Sequence, residues 1–366
     1  MLSNDSVAAV TGGAVGTAVP DGYHRFPFTL DDALRAREVV SARLAPTPIV
    51  SHPLLDRLLG CKAFVKLENT QGIGSFKIRG GLNLLASMTE GERERGLVTA
   101  TRGNHGQSLA QAAGMYGARC TIFVPRGNNP DKNAAMDALG ATVIEEGHDY
   151  DAAMAAAEAF ARETGGRLVH PSREPELMAG IASVALEMIE QVGEPLDAVF
   201  VPVGGGSIAA AMSVVLRALS PSTQVIGVQS ENAPAMHHAW HTGEDRPFAA
   251  TRSIADGLAV RVPVDVTLSV LRPLLHSMVL VSEEEIQAAI RTYATTIHQM
   301  AEGAGAVPLA AAVKLADEYR GKRVGLVLTG GNIESRTLMA ALAGERPPHR
   351  PQAMPMYPID ELSYGY

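Results

Sequence analysis

The chain has 366 residues, of which 46% are hydrophobic and 19% charged, a balance that excludes both an intrinsically disordered chain and a small disulfide-stapled scaffold. A formal net charge of -8, without any dense basic run, excludes the electrostatic footprint of a nucleic-acid or anionic-membrane partner. Two cysteines are too few for a disulfide framework or a zinc cluster, which fits a reducing compartment. We therefore expect a cytoplasmic globular protein with a small-molecule partner.

The two ends of the chain lack the periodicity of helices and strands. Residues 1–24 are rich in Ala, Gly and Val and contain no Lys or Arg, which predicts a flexible tail without the basic start of a secretory signal. Residues 341–366 are proline-rich and predict a second tail. The apolar stretch Ala198–Leu216 is interrupted by Pro202 and three glycines, so it predicts a strand, a loop and a helix rather than a membrane span.

Between the tails, short runs rich in β-branched residues alternate with alanine-rich amphipathic segments. The predicted strands are Phe64–Glu68, Leu97–Thr101, Thr121–Val124, Thr142–Glu145, Leu168–His170, Val199–Val203, Val225–Gln229 and Val324–Leu328. The clearer predicted helices are Asp31–Leu44, Asn104–Tyr116, Tyr150–Thr164, Pro175–Val192, Ser207–Ala218 and Glu283–Met300, the last opened by a capping box of Ser282 and Glu285. This alternation predicts an α/β protein with mainly parallel sheets, in which ligands bind at the carboxyl ends of strands.

Two turns that follow predicted strands carry polar side chains suited to binding. In Gly74-Ser75-Phe76-Lys77, a lysine stands at the start of a helix, where desolvation would lower its pKa and make its amine nucleophilic. A solvated surface lysine is the alternative. In Thr101-Arg102-Gly103-Asn104-His105, backbone N–H groups at a helix start form an anion site suited to a substrate carboxylate. The alternative there is a capped helix with a satisfied histidine.

Two further turns are rich in glycine. Gly204-Gly205-Gly206-Ser207 lets backbone amides approach a phosphate at the start of a helix, whereas the alternative is a tight turn without a ligand. It lacks the Gly-Lys-Ser/Thr ending of a Walker loop and the spacing of the dinucleotide fingerprint. Thr329-Gly330-Gly331-Asn332 ends the last predicted strand and offers a neutral hydroxyl, although such turns are common for conformational reasons alone.

In this order and spacing, the four turns resemble those of the fold-type II, tryptophan-synthase-like pyridoxal-phosphate enzymes, and in particular the threonine/serine dehydratase and serine racemase branch. The resemblance extends from about Thr47 to Asn332 and includes Ala255-Asp256-Gly257. It implies two open, twisted, mainly parallel sheet domains with helices on both faces. The large cofactor domain would comprise residues 25–98 and 174–340 and the small substrate domain residues 99–173, without a regulatory domain.

The resemblance also implies the roles of individual residues. Lys77 would be the catalytic residue, because it would bind pyridoxal 5'-phosphate covalently and then move the α-proton of the substrate. The implied cofactor-binding residues are Phe76, Lys77, Asn104, Gly204, Gly205, Gly206, Ser207, Glu302 and Thr329. The implied substrate-binding residues are Thr101, Arg102, Gly103, Asn104 and His105. No metal site is expected, because Gln229 and Ala235 stand where the branch often has acidic cation ligands.

The implied activity is that of a dehydratase, or ammonia-lyase. It converts L-threonine and/or L-serine, or a related 3-hydroxy amino acid, to a 2-oxo acid and ammonia by α,β-elimination. A neutral Thr329 beside the cofactor ring favours elimination over transamination. Arg102 replaces the acid-base serine of the racemase branch, and because arginine stays protonated, racemase activity is disfavoured. A 3-hydroxyaspartate or phenylserine dehydratase and a β-replacement enzyme are the alternatives, and relatives suggest a homodimer.

Overall fold

The computed structural model of the protein describes residues 26–248 and 253–344, which form two β-sheets and the helices around them. The strands are β1 Ile49–Val50, β2 Lys62–Leu67, β3 Leu97–Ala100, β4 Cys120–Val124, β5 Thr142–Glu145, β6 Arg167–Leu168, β7 Ala198–Pro202, β8 Gln224–Ser230, β9 Ser277–Val281 and β10 Arg323–Leu328. The helices are α1 Leu30–Ser41, α2 Pro53–Leu59, α3 Lys77–Ser87, α4 Glu90–Arg95, α5 Asn104–Tyr116, α6 Pro130–Ala138, α7 Tyr150–Thr164, α8 Pro175–Ile181, α9 Ser183–Val192, α10 Ser207–Leu219, α11 Ala235–Thr242, α12 Asp265–Leu274, α13 Glu283–Thr296, α14 Gly303–Lys314 and α15 Ser335–Ala343. The tail predicted for residues 1–24 lies outside the described residues, as does the tail predicted for residues 341–366 beyond its first four residues.

The two sheets differ in size and in the parts of the chain that build them. The larger has six strands in the order β1-β2-β10-β7-β8-β9, and the smaller has four in the order β5-β4-β3-β6. Strand β1 pairs with β2 in antiparallel fashion, and the other paired strands of the described chain are parallel. This arrangement confirms the predicted α/β class with mainly parallel sheets. The domain boundaries near residues 99 and 173 stay a prediction.

The central strand β7 is buried on both of its faces. Side chains of a β-strand point alternately to opposite faces of the sheet. Val199 and Val201 pack on one side in a cluster that includes residues of α10, whereas Ala198 and Phe200 pack on the other in a cluster that includes residues of α14. All four are 0% exposed. A continuous apolar run is typical of a parallel strand that helices cover on both faces.

The segment predicted as one helix, Pro175–Val192, is two helices that meet at Ala182, so this prediction is wrong. At the junction the Ser183 hydroxyl donates to the Gly180 carbonyl over 2.7 Å. A Cβ atom on Gly180 would lie 2.4 Å from the Arg79 carbonyl oxygen. Only a residue without a side chain allows α8 to approach α3 this closely, and tertiary packing therefore decides where the helix breaks.

Helix α13 begins where the sequence predicts and ends earlier. The capping box of Ser282 and Glu285 is present, which confirms that prediction. The helix ends at Thr296 instead of Met300, and His298 beyond it has a φ of 57°, in the left-handed region that does not continue an α-helix.

The order of the strands brings the functional loops together. Strands β2, β10 and β7 are neighbours in the larger sheet and are mutually parallel, so the loops after Leu67, Leu328 and Pro202 leave the sheet at the same edge. Strand β3, central in the smaller sheet, ends at the Thr101 loop. The four turns singled out in the sequence therefore follow the carboxyl ends of central strands.

Candidate active site

A cavity of about 380 Å³ lies at the carboxyl ends of these strands. Every residue of the predicted cofactor-binding and substrate-binding sets lines it: Phe76, Lys77, Thr101, Arg102, Gly103, Asn104, His105, Gly204, Gly205, Gly206, Ser207, Glu302 and Thr329. The fold thus brings together turns that lie far apart in the chain. Their individual roles stay predictions.

Lys77 is the first residue of α3, and its side chain enters the cavity beside the glycine-rich turn. Its Nζ atom donates to the Ser207 hydroxyl over 3.2 Å and lies 5.0 Å from the centre of the Phe76 ring. Burial lowers the pKa of Lys77 to about 8, although the negative charge of Glu302 acts in the opposite direction. A lysine with this pKa has a substantial neutral, nucleophilic fraction near neutral pH.

The loop that carries Lys77 is held against the end of β10. The Phe76 amide donates to the Thr329 carbonyl over 3.0 Å, and the Gly331 amide donates to the Gly74 carbonyl over 2.9 Å. Ser75 and Gly330 form an antiparallel bridge between these contacts. Thr329 is buried and lies next to Gly330, so the bridge fixes the position of Thr329 relative to Lys77.

The backbone of the three consecutive glycines lies so close to neighbouring residues that a side chain would not fit. A Cβ atom on Gly204 would lie 2.5 Å from the Gly257 carbonyl oxygen, and one on Gly205 would lie 2.2 Å from the Ser172 hydroxyl. Gly206 has a φ of +87° and caps helix α10. The first amides of that helix have no carbonyl partner within it, and with the helix dipole they form an anion site at the cavity wall.

Asn104 joins the two sheets across the cavity. Its Nδ2 atom donates to Glu302 Oε1 over 2.8 Å, and its Oδ1 atom accepts from Asn332 Nδ2 over 2.8 Å. Burial and the negative charge of Asp256 raise the pKa of Glu302 to about 7, against the opposing charge of Lys132. Glu302 therefore changes its charge near neutral pH within the site.

The Thr101 loop is shaped by its own side chains. The Gly103 amide donates to the Thr101 hydroxyl over 3.0 Å, which closes the turn before α5. His105 is only 5% exposed, and its Nε2 atom lies 3.1 Å from the Thr99 hydroxyl in β3. Burial, assisted by the charge of Lys77, holds the pKa of His105 well below its usual range. The imidazole is therefore neutral and hydrogen-bonded to the sheet.

Some residues of the site carry no motif in the sequence. Lys132, in the first turn of α6, forms an ion pair with Asp256 over 2.5 Å, and a Cβ atom on Gly103 would lie 2.8 Å from its Cδ atom. Tyr150 and Ser172 also line the cavity. Lys132 lies within an ordinary helix that begins with Pro130, and Tyr150 begins a helix with no binding motif, so local sequence patterns indicate a site at neither residue.

The residues present fit pyridoxal phosphate. The unpartnered amides of α10 and the glycine cradle fit its phosphate, and the side-chain amine of Lys77 fits its aldehyde. The apolar Phe76 ring and the neutral Thr329 hydroxyl fit the pyridine ring. Within residues 26–248 and 253–344, no three His, Cys, Asp or Glu side chains converge as metal ligands. No helix of these residues is both long enough and apolar enough to cross a membrane.

Comparison with known proteins identifies the family of this chain. The family model of pyridoxal-phosphate-dependent enzymes matches residues 40–330. An L-threonine ammonia-lyase of Thermotoga maritima is 38% identical over 306 residues, 84% of this chain and 76% of the relative. The solved structure of a threonine deaminase from T.th. matches with a TM-score of 0.79 and 33% identity, covering 84% of this chain and 99% of that one. The solved structure of maize serine racemase matches with a TM-score of 0.81 and 27% identity, and the match covers 87% of this chain and 97% of that one. The match confirms the predicted fold type II, and the chain belongs to the family of pyridoxal-phosphate-dependent enzymes.

Proposed function

We propose that this protein is a dehydratase, or ammonia-lyase, that converts L-threonine and/or L-serine, or a related 3-hydroxy amino acid, to a 2-oxo acid and ammonia. The observation that carries the proposal is the position of Lys77, whose amine lies 3.2 Å from Ser207 at the start of α10 in the cavity. Relatives named L-threonine ammonia-lyase, 38% and 36% identical, support the reaction type.

The glycine cradle would hold the phosphate of the cofactor. The free amides of α10, its dipole and the Ser207 hydroxyl all act on one anionic group. When bound, pyridoxal phosphate supplies an electron sink that stabilises a carbanion at the substrate α-carbon. Phosphate binding at the cradle would place the cofactor in the same cavity as Lys77.

Lys77 would act as the base of the elimination. Because burial lowers its pKa to about 8, its Nζ atom can accept a proton from the substrate α-carbon near neutral pH and release it again. Backbone amides at the start of α5, next to Thr101 and Asn104, would hold the substrate carboxylate. This orients the α-hydrogen for removal and the β-hydroxyl for departure as water.

Thr329 favours elimination over transamination. It lines the cavity and offers a hydroxyl where a carboxylate would keep the pyridine nitrogen protonated. A neutral partner would make the ring a shallower electron sink, which favours departure of the β-substituent over transamination.

A substrate panel tests the proposal. The holoenzyme is incubated with L-threonine, L-serine, 3-hydroxyaspartate and 3-phenylserine, and ammonia and 2-oxo acid are measured with and without an added thiol. Equal amounts of both products without the thiol support the dehydratase. Consumption of a β-substituted amino acid alone, with formation of a new substituted amino acid, would establish β-replacement and overturn the proposal.

We also infer a small-molecule amino-acid substrate, a cytoplasmic location and a homodimer. Both cysteines, Cys61 and Cys120, are buried and unpaired, which fits a reducing compartment. Sedimentation of the holoenzyme tests the oligomeric state, since a homodimer sediments at twice the mass of the chain.

A further inference from the structure

The mouth of the active-site cavity carries an arginine that the elimination itself does not need. We propose that Arg102 and Tyr150 bind a second acidic group of the substrate, so that the preferred substrate is a 3-hydroxy amino acid with a carboxylate in its side chain. This inference rests on the proposed dehydratase function and deepens it, because it names the substrate class of the same cavity.

Arg102 differs from the other surface cations of the cavity in having no counter-ion. It is exposed and lines the cavity, and within the described part of the chain its guanidinium has neither an ion pair nor a hydrogen-bond acceptor. By contrast, Lys132 pairs with Asp256 over 2.5 Å, Arg173 with Asp265 over 2.7 Å and Arg261 with Asp151 over 3.0 Å. Arg102 is therefore available for an incoming anion.

Tyr150 lines the same cavity as Arg102. It is the first residue of α7, it is half-buried, and it lines the cavity. Burial raises the pKa of the Tyr150 hydroxyl, Asp151 adds to the rise, and the positive charge of Arg102 opposes it. The two side chains are thus near enough to act on each other, and the phenol keeps its proton at neutral pH as a hydrogen-bond donor.

The acidic side chains near this pair are already engaged. Arg261 Nη1 lies 3.3 Å from an Asp149 carboxylate oxygen and 3.0 Å from an Asp151 carboxylate oxygen. Asp149 also accepts from the Ala152 amide over 2.9 Å as the cap of α7. These contacts hold both carboxylates toward Arg261, and among the described residues the guanidinium of Arg102 has no acidic partner.

The chemistry of the two donors selects a carboxylate. A guanidinium presents parallel N–H donors that match the two oxygens of a carboxylate, and a phenol hydroxyl adds a further donor. Threonine has only a methyl group on its β-carbon, whereas 3-hydroxyaspartate has a carboxylate there. The reaction is otherwise unchanged: the α C–H and β C–O bonds break, water leaves, and hydrolysis yields a 2-oxo dicarboxylic acid and ammonia without net oxidation.

A different part of the wall favours a rival substrate. Leu258, Val260 and Val262 line the cavity on the segment after Asp256. This apolar surface would suit a bulky side chain such as that of 3-phenylserine. Arg102 distinguishes the two substrates, because a guanidinium forms two parallel charged hydrogen bonds to a carboxylate and can only stack on a phenyl ring, which is the weaker contact.

The test compares kcat/KM of the holoenzyme for 3-hydroxyaspartate, L-threonine and 3-phenylserine. We expect 3-hydroxyaspartate to be preferred over threonine by about tenfold or more, since a hydrogen bond to a charged group distinguishes substrates on this scale. Arg102→Ala lowers that ratio by about 10- to 100-fold, Arg102→Lys restores part of it, and Tyr150→Phe lowers it several-fold. Arg126→Ala removes an exposed arginine that does not line the cavity, and as the matched control it leaves the ratio unchanged.

A binding measurement separates recognition from turnover. Calorimetry of the holoenzyme with succinate and with butyrate compares four-carbon acids that differ by one carboxylate. Succinate binds more tightly than butyrate to the parent and to Arg126→Ala, and this difference disappears in Arg102→Ala.

The remaining outcomes overturn the inference in distinguishable ways. Equal loss of kcat/KM for all substrates in Arg102→Ala shows a general role of the loop, and preference for 3-phenylserine shows that the apolar wall decides. If threonine is converted and 3-hydroxyaspartate is not, this inference fails while the dehydratase function stands. If no 3-hydroxy amino acid is converted, the proposed function itself fails.

Discussion

Arg79 is the centre of a buried ion cluster beneath the active-site lysine. It lies two residues after Lys77 in α3 and is 0% exposed. Its guanidinium bonds Glu68 over 2.7 Å and Glu187 over 2.6 Å. Lys66, also 0% exposed, donates to Glu187 over 2.6 Å. The cluster joins the start of α3 to the end of β2 and to α9, and we expect it to stabilise the position of the lysine loop.

The substitution Arg79→Met keeps an unbranched side chain and removes the charge. Glu68 and Glu187 are then left with Lys66 as their single buried cation, so one buried carboxylate has no counter-charge. Breaking a buried pair in this way costs about 3–5 kcal/mol. Since folded proteins are stable by only about 5–15 kcal/mol, the variant should lose a large share of its free energy of unfolding. Arg79→Lys keeps the charge but cannot bond both carboxylates in parallel, and its loss should be intermediate.

Urea unfolding at pH 8, followed by circular dichroism, measures these losses. Arg35→Met is the matched control, because the Arg35 side chain is 69% exposed and its pair with Asp32 should contribute at most about 1 kcal/mol. If Arg79→Met lost no more than Arg35→Met, the cluster would not stabilise the fold and the reasoning would be refuted.

The same cluster predicts the acid sensitivity of the fold. Although burial acts to raise it, the Arg79 hydrogen bonds and charge lower the pKa of Glu187 below its ordinary value. Stabilisation by a carboxylate with a lowered pKa is complete above the pKa of the unfolded chain and is lost as the pH falls through the folded value. The free energy of unfolding should therefore fall in acid, and this pH dependence should be weaker in Arg79→Met.

Two further substitutions and one measurement of pH dependence test the site. Gly204→Ala places a Cβ atom 2.5 Å from the Gly257 carbonyl oxygen, so titration should show that the variant binds pyridoxal phosphate more weakly by about tenfold or more. In the control Gly114→Ala, the new Cβ atom lies 3.9 Å from the Leu139 carbonyl oxygen, and the affinity for pyridoxal phosphate should not change. The rate at which the apoenzyme binds pyridoxal phosphate should rise about tenfold per pH unit below the pKa of Lys77, about 8, and level off above it, since the neutral amine is the nucleophile. Glu302 has a pKa raised to about 7, so the parent should show an inflection of kcat/KM near pH 7, and this inflection should be absent in Glu302→Gln, which cannot ionise.

Local patterns in the sequence were sufficient for the strands and for the turns that follow them. The apolar run of β7 and the glycines after it depend on burial on both faces and on close backbone approach, and both leave a direct signature in residue type. The capping box of Ser282 is equally local. For these reasons local patterns were sufficient to predict the α/β class and the four turns, whereas the assignment of Glu302 to the site depended on the family resemblance.

Contacts between distant parts of the chain could not be predicted in this way. The break at Ala182 depends on the packing of Gly180 against Arg79, about a hundred residues earlier. Whether the Arg102 side chain meets a partner depends on α7 and on Arg261, which no periodicity near the Thr101 loop indicates. Such features follow from tertiary packing, which single-sequence patterns do not contain.

Borohydride reduction of the holoenzyme, followed by peptide mass spectrometry, tests the covalent role of Lys77 most directly. Reduction fixes the cofactor to the amine that holds it, and we expect the added mass on the peptide that contains Lys77, with none in Lys77→Ala. A holoenzyme labelled on another lysine, or a Lys77→Ala variant that turns over 3-hydroxy amino acids at the parent rate, would contradict the role assigned to this residue.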